Sequence, residues 1–223
     1  MTQTDYNRIR DLIRGDIVND RLKGGSRLKV RELATRYNTS AIPVREALQQ
    51  LQGEGIVRFI PNRGASVRTI DTDFVRDIYE IRAMVEPFLA RWFVRHQKDG
   101  DLDRLEAIQH AFDAAVEAKD WPKLRDLNAE FHAICYNGHY NDEAVQLASR
   151  HTELIAALAD RFPRFSARAQ AVCREHWAII GAIREQDEAK TAKLVETHVR
   201  RSGDHLIERM KASLRHPEAA AVR

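Results

Sequence analysis

The sequence lacks three features that would place it in other classes of protein. It contains two cysteines, Cys135 and Cys173, which are too few for a disulfide-stabilised scaffold. It has no run of about 18 apolar residues, so no membrane-spanning helix is expected. Its N-terminal stretch, MTQTDYNRIRDLIRGDIV, lacks the apolar centre and the small-residue cleavage site of a signal peptide. We therefore expect a cytoplasmic protein without a membrane partner.

Positive charge is concentrated near the N-terminus. The chain of 223 residues has a net charge of +3. Residues 1–72 contain 13 Lys or Arg and 8 Asp or Glu, a net of +5, whereas the remainder contains 23 and 25, a net of −2. A basic N-terminal third favours a polyanionic partner, although solvated surface charges would give the same count.

Apolar residues in the first third recur at helical spacing. The pattern predicts a first helix that includes Tyr6, Ile9, Leu12, Ile13 and Ile17 and ends at the glycine turn KGGSR. A short second helix follows from Val30 to Tyr37, and a third helix begins after Ser40. Ser40 is expected to cap the third helix by accepting N–H groups of the first turn. Two short helices with a tight connection are typical of a helix-turn-helix. The next segment, IVRFIPNRGASVR, has two β-rich runs about a turn and predicts a hairpin, or wing.

The remaining two thirds of the chain read as helices alone. The periodic segments span 73–96, 101–119, 122–137, 142–161, 166–186 and 188–213. We predict a mainly α fold with two domains and a loose tail. Residues 1–70 would form a winged helix-turn-helix, residues 73–213 an all-helical bundle of six helices for effector binding and dimerisation, and residues 214–223 the tail.

The third helix carries hydrogen-bonding side chains on its outer face. Val44 and Leu48 belong to an apolar stripe, whereas Arg45 and Gln49 fall on the opposite side. An α-helix fits the major groove of B-DNA, and its N-terminal side chains reach the edges of bases. We expect Arg45 to bond guanine, and Gln49, one turn later, to contact a base or the backbone.

Further cations flank this helix. Arg31 begins the second helix, where it is placed to contact phosphate, and Arg63 and Gly64 lie at the tip of the wing, where a cation can enter the minor groove. The alternative is that the arginines of the second and third helices are solvated, or paired with the neighbouring acids Glu32 and Glu46.

A charged residue interrupts an apolar face in the first helix of the bundle. Arg82 lies between Ile78 and Leu89 at helical spacing. A guanidinium buried there needs an anion, because an unpaired buried charge is very costly. The anion is either an internal acid such as Glu86, one turn away, or a bound carboxylate or phosphate.

Several histidines also fall on apolar faces. His132, His176 and His198 belong to three different helices of the bundle. Three imidazoles that converge on one interior can ligate a divalent cation, although a lone histidine on such a face is usually a satisfied core residue. His151 and His205 also fall near inward faces, so the spacing does not give a unique set of ligands.

The DNA-reading segment resembles a known family. LKVRELATRYNTSAIPVREALQQLQGEGIVRFIPNRGASV is similar to the winged helix-turn-helix of GntR-family bacterial transcription regulators, through RELA, S..PVREAL..L...G.V and RG..V. The family often has arginine directly after the serine of the turn, where this chain has Ala41 followed by Ile42, so its operator should differ. The resemblance implies DNA contacts at Arg31, Arg45, Arg63 and Gly64.

Residues from about 73 to 213 resemble the FCD ligand-binding domain of the FadR-type GntR regulators. The matching pieces are IYEIRAMVEPFLAR, LNAEFH, REHWAIIGAIREQD and ETHVRRS, and six helices suit the VanR-like branch. The resemblance implies a divalent metal ion, such as zinc, nickel or manganese, and an effector pocket that includes Arg82 and His151. In the family one metal ligand is acidic, and the residue at that position of this chain is the amide Asn128. The implied metal ligands are Asn128, His132, His176 and His198.

Together these patterns predict a homodimeric, metabolite-responsive transcription regulator rather than an enzyme. A small organic acid at the metal site would release the protein, a repressor, from its DNA operator. Two alternatives are a metal-dependent hydrolase, because three histidines with open metal positions resemble a hydrolytic site, and an architectural DNA-binding protein without an effector.

Overall fold

The computed structural model describes residues 3–61, 63–136, 141–162 and 166–215. Within these residues it contains nine helices and three short strands. In chain order they are α1 Gln3–Val18, β1 Arg27–Leu28, α2 Val30–Arg36, α3 Ala41–Gly53, β2 Val57–Ile60, β3 Gly64–Val67, α4 Thr72–His96, α5 Asp101–Ala118, α6 Trp121–Tyr136, α7 Asp142–Ala159, α8 Ser166–Arg184 and α9 Glu188–Arg215. The predicted mainly α fold with an N-terminal winged helix-turn-helix is confirmed.

Three antiparallel strands form a small sheet, in the order β1-β3-β2. β2 and β3 make the predicted hairpin, with Val57 opposite Val67 and Ile60 opposite Gly64. β1 joins the other edge of β3 through Arg27, opposite Ser66. β1 was not predicted, because a two-residue strand shows no alternation that a pattern can detect.

The helix-turn-helix is held by an apolar core and by one buried acid. Asp16 of α1 accepts hydrogen bonds from the hydroxyl of Tyr37 at 2.8 Å and from Arg36 at 2.6 Å, which fixes the end of α2 on α1. Ser40 occupies the N-cap position of α3, but the predicted capping hydrogen bond is wrong. Pro43 stands at the third helical position and has no N–H to donate, which leaves the N–H of Ile42 as the one usual capping donor.

The six predicted helices of the C-terminal region are present as α4 to α9, and each of their ends lies within two residues of its prediction. The chain separates into two compact units, Met1–Phe74 with Ala157–Arg161, and Val75–Ala156 with Phe162–Arg223. The predicted tail overlaps the end of α9, which reaches Arg215, and its remaining residues, 216–223, lie outside the described part. No helix in the described part is long and apolar enough to cross a membrane.

One apolar cluster of the second unit lies between α5, α6 and α8. Phe112 and Val116 of α5 pack with Leu124 of α6, and the half-buried side chains of Val172 and Cys173 of α8 cover them. The buried faces of α6, α8 and α9 also carry polar residues, namely His132, His176 and His198.

Candidate nucleic-acid interface and metal centre

A groove of about 560 Å³ opens on the first unit, between the start of α2, the outer face of α3 and the sheet. Four of the five predicted DNA-contacting residues line it, and so do two further cations, Arg27 and Lys29, which the sequence analysis did not single out. The four are Arg31, Arg45, Gln49 and Gly64.

The two faces of α3 divide as predicted. Val44, Leu48 and Leu51 are at most 1% exposed, whereas Arg45 and Gln49 are exposed. The face that carries Arg45 and Gln49 is therefore open to a partner along its length.

The alternative in which neighbouring acids neutralise the arginines of this face is not what the structure contains. Glu32 pairs with Lys29, at 2.7 Å, rather than with Arg31. Neither Arg31 nor Arg45 has a side-chain hydrogen bond or ion pair to any described residue. Both guanidinium groups therefore remain available to a partner of opposite charge.

The wing presents Arg63 at its turn. The backbone N–H of Arg63 donates to the carbonyl of Ile60 at 3.0 Å, and the side chain is exposed. Asn62, within the predicted turn, lies outside the described residues. Gly64 follows with φ +78°, a left-handed conformation that favours glycine. Gly64 therefore shapes the turn that presents Arg63, and it lines the groove without a side chain of its own.

In the second unit the structure brings together His132, His176 and His198, from α6, α8 and α9. Their candidate ligand atoms all lie within 4.8 Å of one another, and each side chain is at most 4% exposed. Bonds of about 2.0–2.1 Å in a tetrahedral zinc site would place the nitrogens roughly 3.4 Å apart, so small ring movements would complete a site. His151 and His205 do not belong to this group, which removes the ambiguity left by the sequence.

The protonation of His176 is fixed by a chain of hydrogen bonds. The amide nitrogen of Gln109 donates to the Asp113 carboxylate at 2.7 Å, so the amide oxygen of Gln109 faces Nδ1 of His176 at 2.9 Å. Nδ1 must therefore carry the proton, and Nε2 keeps its lone pair. Trp177 donates to the other oxygen of Asp113 at 2.9 Å and holds the carboxylate in place.

The other two histidines are oriented in the same sense. Nδ1 of His198 lies 2.8 Å from a carboxylate oxygen of Glu175, which can only accept. Nδ1 of His132 lies 3.0 Å from the hydroxyl oxygen of Tyr136, and that hydroxyl donates its own proton to Glu86 at 2.5 Å. In both histidines the proton is therefore on Nδ1, and Nε2 is left as a potential ligand.

The neutral form is favoured for two of the three imidazoles, those of His132 and His176. Burial lowers the pKa of His132 and His176 well below 6.5, and the neighbouring His198 lowers both further. Burial alone would raise the pKa of Glu175, but hydrogen bonds from His198 and Arg168 lower it to about 2. A neutral imidazole is the form that binds metal. Nε2 of His176 is buried without a partner among the described residues, which is the condition of a ligand atom before its metal is added.

Arg82 is paired inside the protein. Its Nε donates to Glu86 at 2.5 Å, and its guanidinium lies 4.9 Å from the centre of the Tyr79 ring. Burial would lower the pKa of Arg82, but the Glu86 carboxylate raises it, so the group stays charged. Of the two partners considered for Arg82, the internal acid is present, and its charge does not require a bound anion.

The other two predicted site residues are His151 of α7 and Asn128 of α6. His151 is 8% exposed, and its Nδ1 has no partner among the described residues. Burial and the nearby charge of Arg82 lower the pKa of His151 to about 4, so it is neutral at neutral pH. Asn128 is half-buried on α6, one turn before His132, as predicted.

Comparison with known proteins agrees with both halves of this description. Residues 5–67 match the family described as bacterial regulatory proteins, gntR family, and residues 77–201 match the FCD domain. The chain belongs to the GntR family and carries an FCD domain. This GntR regulator is therefore a DNA-binding protein of transcription regulation, as predicted.

Individual relatives have the same character. The chain is 27% identical over 202 residues to the HTH-type transcriptional repressor RspR of Escherichia coli, covering 89% of this chain and 87% of RspR. It is 25% identical to the Nta operon transcriptional regulator of Aminobacter aminovorans, covering 88% and 92%. The solved structure of E. coli McbR/YncC has a TM-score of 0.67 and 18% identity, and the match covers 93% of this chain and 99% of that one. That last likeness concerns the fold.

The GntR regulator also contains functional candidates that the sequence analysis missed. Gln109, Glu175 and Tyr136 orient the three histidines, and only Tyr136 lies one helical turn from its partner. That i, i+4 spacing was the one signal available in the sequence. Gln109 and Glu175 come from 67 and 23 residues away along the chain from the histidines that they contact, and helical periodicity does not predict such pairs.

Proposed function

We propose that this GntR regulator is a homodimeric cytoplasmic repressor whose affinity for its operator is controlled by a small organic acid at a divalent metal ion. The proposed metal ligands are Nε2 of His132, His176 and His198, with the amide oxygen of Asn128. The observation that carries the proposal is the orientation of the three imidazoles, since each Nδ1 is committed to a hydrogen bond away from the cluster and each Nε2 is left with a lone pair. Such outer partners fix the tautomer of metal-binding histidines.

The donor set fits zinc, nickel or manganese, with imidazole nitrogen favouring the first two. When bound, such an ion supplies a positive centre for a carboxylate oxygen of the effector. His151 would contribute its unpartnered, buried Nδ1 to the same pocket. Arg82 would act chiefly through its charge, because its Nε is already held by Glu86.

Dimerisation is supported by an exposed apolar stripe on α4. Ile81, Met84 and Phe88 are 36%, 66% and 42% exposed, and they recur at helical spacing on one face. A continuous apolar face of this kind is typical of an interface between subunits. In a dimer each copy of α3 and of the wing would read one half-site of a pseudo-palindromic operator, since a two-fold protein matches a two-fold site.

The proposed switch is a shift between two populations. An effector that binds one arrangement of the dimer more tightly than the other shifts the equilibrium by its difference in affinity, and by reciprocity operator DNA weakens effector binding by the same factor. The protein represses transcription when the effector is absent, and the effector relieves that repression. The relative RspR is a repressor, which supports the first of these two statements.

An enzymatic role is not proposed. A hydrolytic metal site needs a general base close to the bound water. The three carboxylates bonded to the histidines directly or through one side chain are all engaged: Glu86 with Arg82 and Tyr136, Glu175 with Arg168 and His198, and Asp113 with Gln109 and Trp177. None of the three is the free carboxylate that proton abstraction would require.

The test compares His176→Ala with His205→Ala, a matched histidine change on α9 outside the cluster. Metal content of the purified full-length proteins is measured by mass spectrometry, and operator binding by fluorescence anisotropy with and without a panel of small carboxylic acids. His176→Ala should lose metal and the response to acids while it still binds operator, and His205→Ala should retain all three. Metal at the wild-type level in His176→Ala would refute the proposed site.

A further inference from the structure

Ile42 is an exposed aliphatic side chain in the first turn of α3. It is 57% exposed, more than any other large apolar residue in the described part of the first unit. Its neighbours Pro43 and Val44 are buried, so the helix is seated on the core at this point. The exposure of Ile42 therefore reflects its position on the outer face and not a loose helix end.

Ile42 shares that outer face with the two residues proposed to read bases. Ile42, Arg45 and Gln49 follow one another at i, i+3 and i+7, and all three are exposed. Three residues advance an α-helix by about 4.5 Å, close to the rise of about 3.4 Å between neighbouring base pairs. Ile42 and Arg45 can therefore face base pairs that are adjacent, or nearly so, in one groove.

The chemistry of the side chain restricts what it can recognise. Isoleucine neither donates nor accepts a hydrogen bond, so it cannot read the polar edges of bases. The C5-methyl group of thymine is the apolar group that B-DNA presents in the major groove. Ser40 and the start of α3 bring Ile42 to the end of the helix that enters the groove, which is the end that approaches bases in this class of domain.

We propose that Ile42 is a specificity-determining residue that contacts the C5-methyl of a thymine in each operator half-site, beside the base pair contacted by Arg45. The inference rests on the proposed base-reading role of α3. Because the contact is apolar, it adds discrimination between thymine and cytosine without adding an electrostatic contribution, and it should depend little on salt. The polar contacts of the same helix read donor and acceptor groups and do not detect the methyl group itself.

The test uses deoxyuridine, which lacks only the methyl group of thymine. An operator is first selected from random duplexes with the full-length protein, and each thymine of its half-sites is then replaced in turn. Dissociation constants are measured at one stated salt concentration for the wild type, for Ile42→Ala and for Ile60→Ala, a matched exposed isoleucine of the wing that is 41% exposed. Ile42 is exposed, so its replacement should leave helical content by circular dichroism unchanged.

At one thymine per half-site, replacement by deoxyuridine should weaken wild-type binding about fourfold. This factor corresponds to the loss of contact with one methyl-sized group. The same substitution should have no effect on Ile42→Ala, and its full effect on Ile60→Ala. Equal sensitivity of the wild type and Ile42→Ala, or no sensitive thymine at all, would overturn the proposal. A wild type that does not distinguish the selected operator from random DNA would instead refute the proposed function, so the two failures are distinguishable.

Discussion

The orientation of His176 gives the sharpest test of the proposed metal centre. Gln109 is fully buried, and its amide oxygen is the acceptor that keeps the His176 proton on Nδ1. Gln109→Met keeps a side chain of similar length but removes that acceptor. The change also removes the hydrogen bond that Gln109 donates to Asp113, but Asp113 keeps its second donor, the indole of Trp177.

The expected cost follows from the tautomer. In Gln109→Met the metal-binding form of His176 has a buried Nδ1–H without an acceptor, which costs about 1–3 kcal/mol. The proton can move to Nε2 instead, where it blocks the ligand atom. Loss of such an outer partner typically weakens metal binding by about 10–100-fold, or about 1.4–2.7 kcal/mol, in agreement with that cost.

The assay is competition for zinc between the purified full-length protein and a chromophoric chelator at neutral pH. Gln97→Met is the matched control, because Gln97 follows the end of α4, outside the cluster, and among the described residues its side chain bonds only the backbone carbonyl of Val94. Gln109→Met should weaken zinc binding by the stated factor, and Gln97→Met should not. Affinities within twofold of the wild type for both variants would show that the Gln109 contact does not govern the metal, and the tautomer argument would be wrong.

Three further predictions concern single residues. Arg45→Ala should lose discrimination between operator and random duplexes, because it removes a bidentate base contact worth about 1–3 kcal/mol. Arg31→Ala should instead weaken binding to the operator and to random duplexes about equally. Fluorescence anisotropy at several salt concentrations distinguishes these two effects. Asn128→Asp should tighten metal binding, since a carboxylate replaces a neutral amide oxygen as ligand; unchanged affinity in the chelator assay would exclude residue 128 as a ligand. Burial and the charge of Arg82 lower the pKa of His151 from 6.5 to about 4. Between these values the unfolded chain binds a proton that the folded chain does not, so the free energy of unfolding should fall as pH decreases from 6.5 to about 4. Urea titrations of His151→Leu across this range should show a free energy of unfolding that depends less steeply on pH than that of the wild type.

Periodicity was sufficient to predict the helices and their buried faces. α3 illustrates why, since its apolar stripe and its outer face alternate at 3.6 residues and each residue falls where the period places it. The same reasoning placed His132, His176 and His198 on inward faces of three helices. Periodicity could not select these three histidines over His151 and His205. A period specifies the face of a helix on which a residue lies, but not which residues of neighbouring helices lie at the same position along the helix axes.

Two features were not decided by local patterns in the sequence. β1 exists because Arg27 and Leu28 pair with the edge of β3, and two residues alone show no strand signal. Arg82 had two possible partners in the sequence, and packing selected Glu86, since the buried carboxylate also receives the hydroxyl of Tyr136. Both outcomes depend on which side chains the fold brings into contact.

The arrangement of charge around the histidines gives Asn128 a specific consequence. The carboxylates of Glu175, Asp113 and Glu86 all lie behind the imidazoles, bonded to Nδ1 directly or through Gln109 and Tyr136. The proposed ligands, three imidazoles and an amide, are neutral when they bind a metal. They would therefore not reduce the positive charge with which a divalent ion attracts the effector. An acid at position 128 would cancel part of that charge. Asn128→Asp should therefore change the two affinities in opposite directions, tightening the metal while it weakens a carboxylate effector, and a variant that tightened both would show that the effector is not held by the charge of the ion.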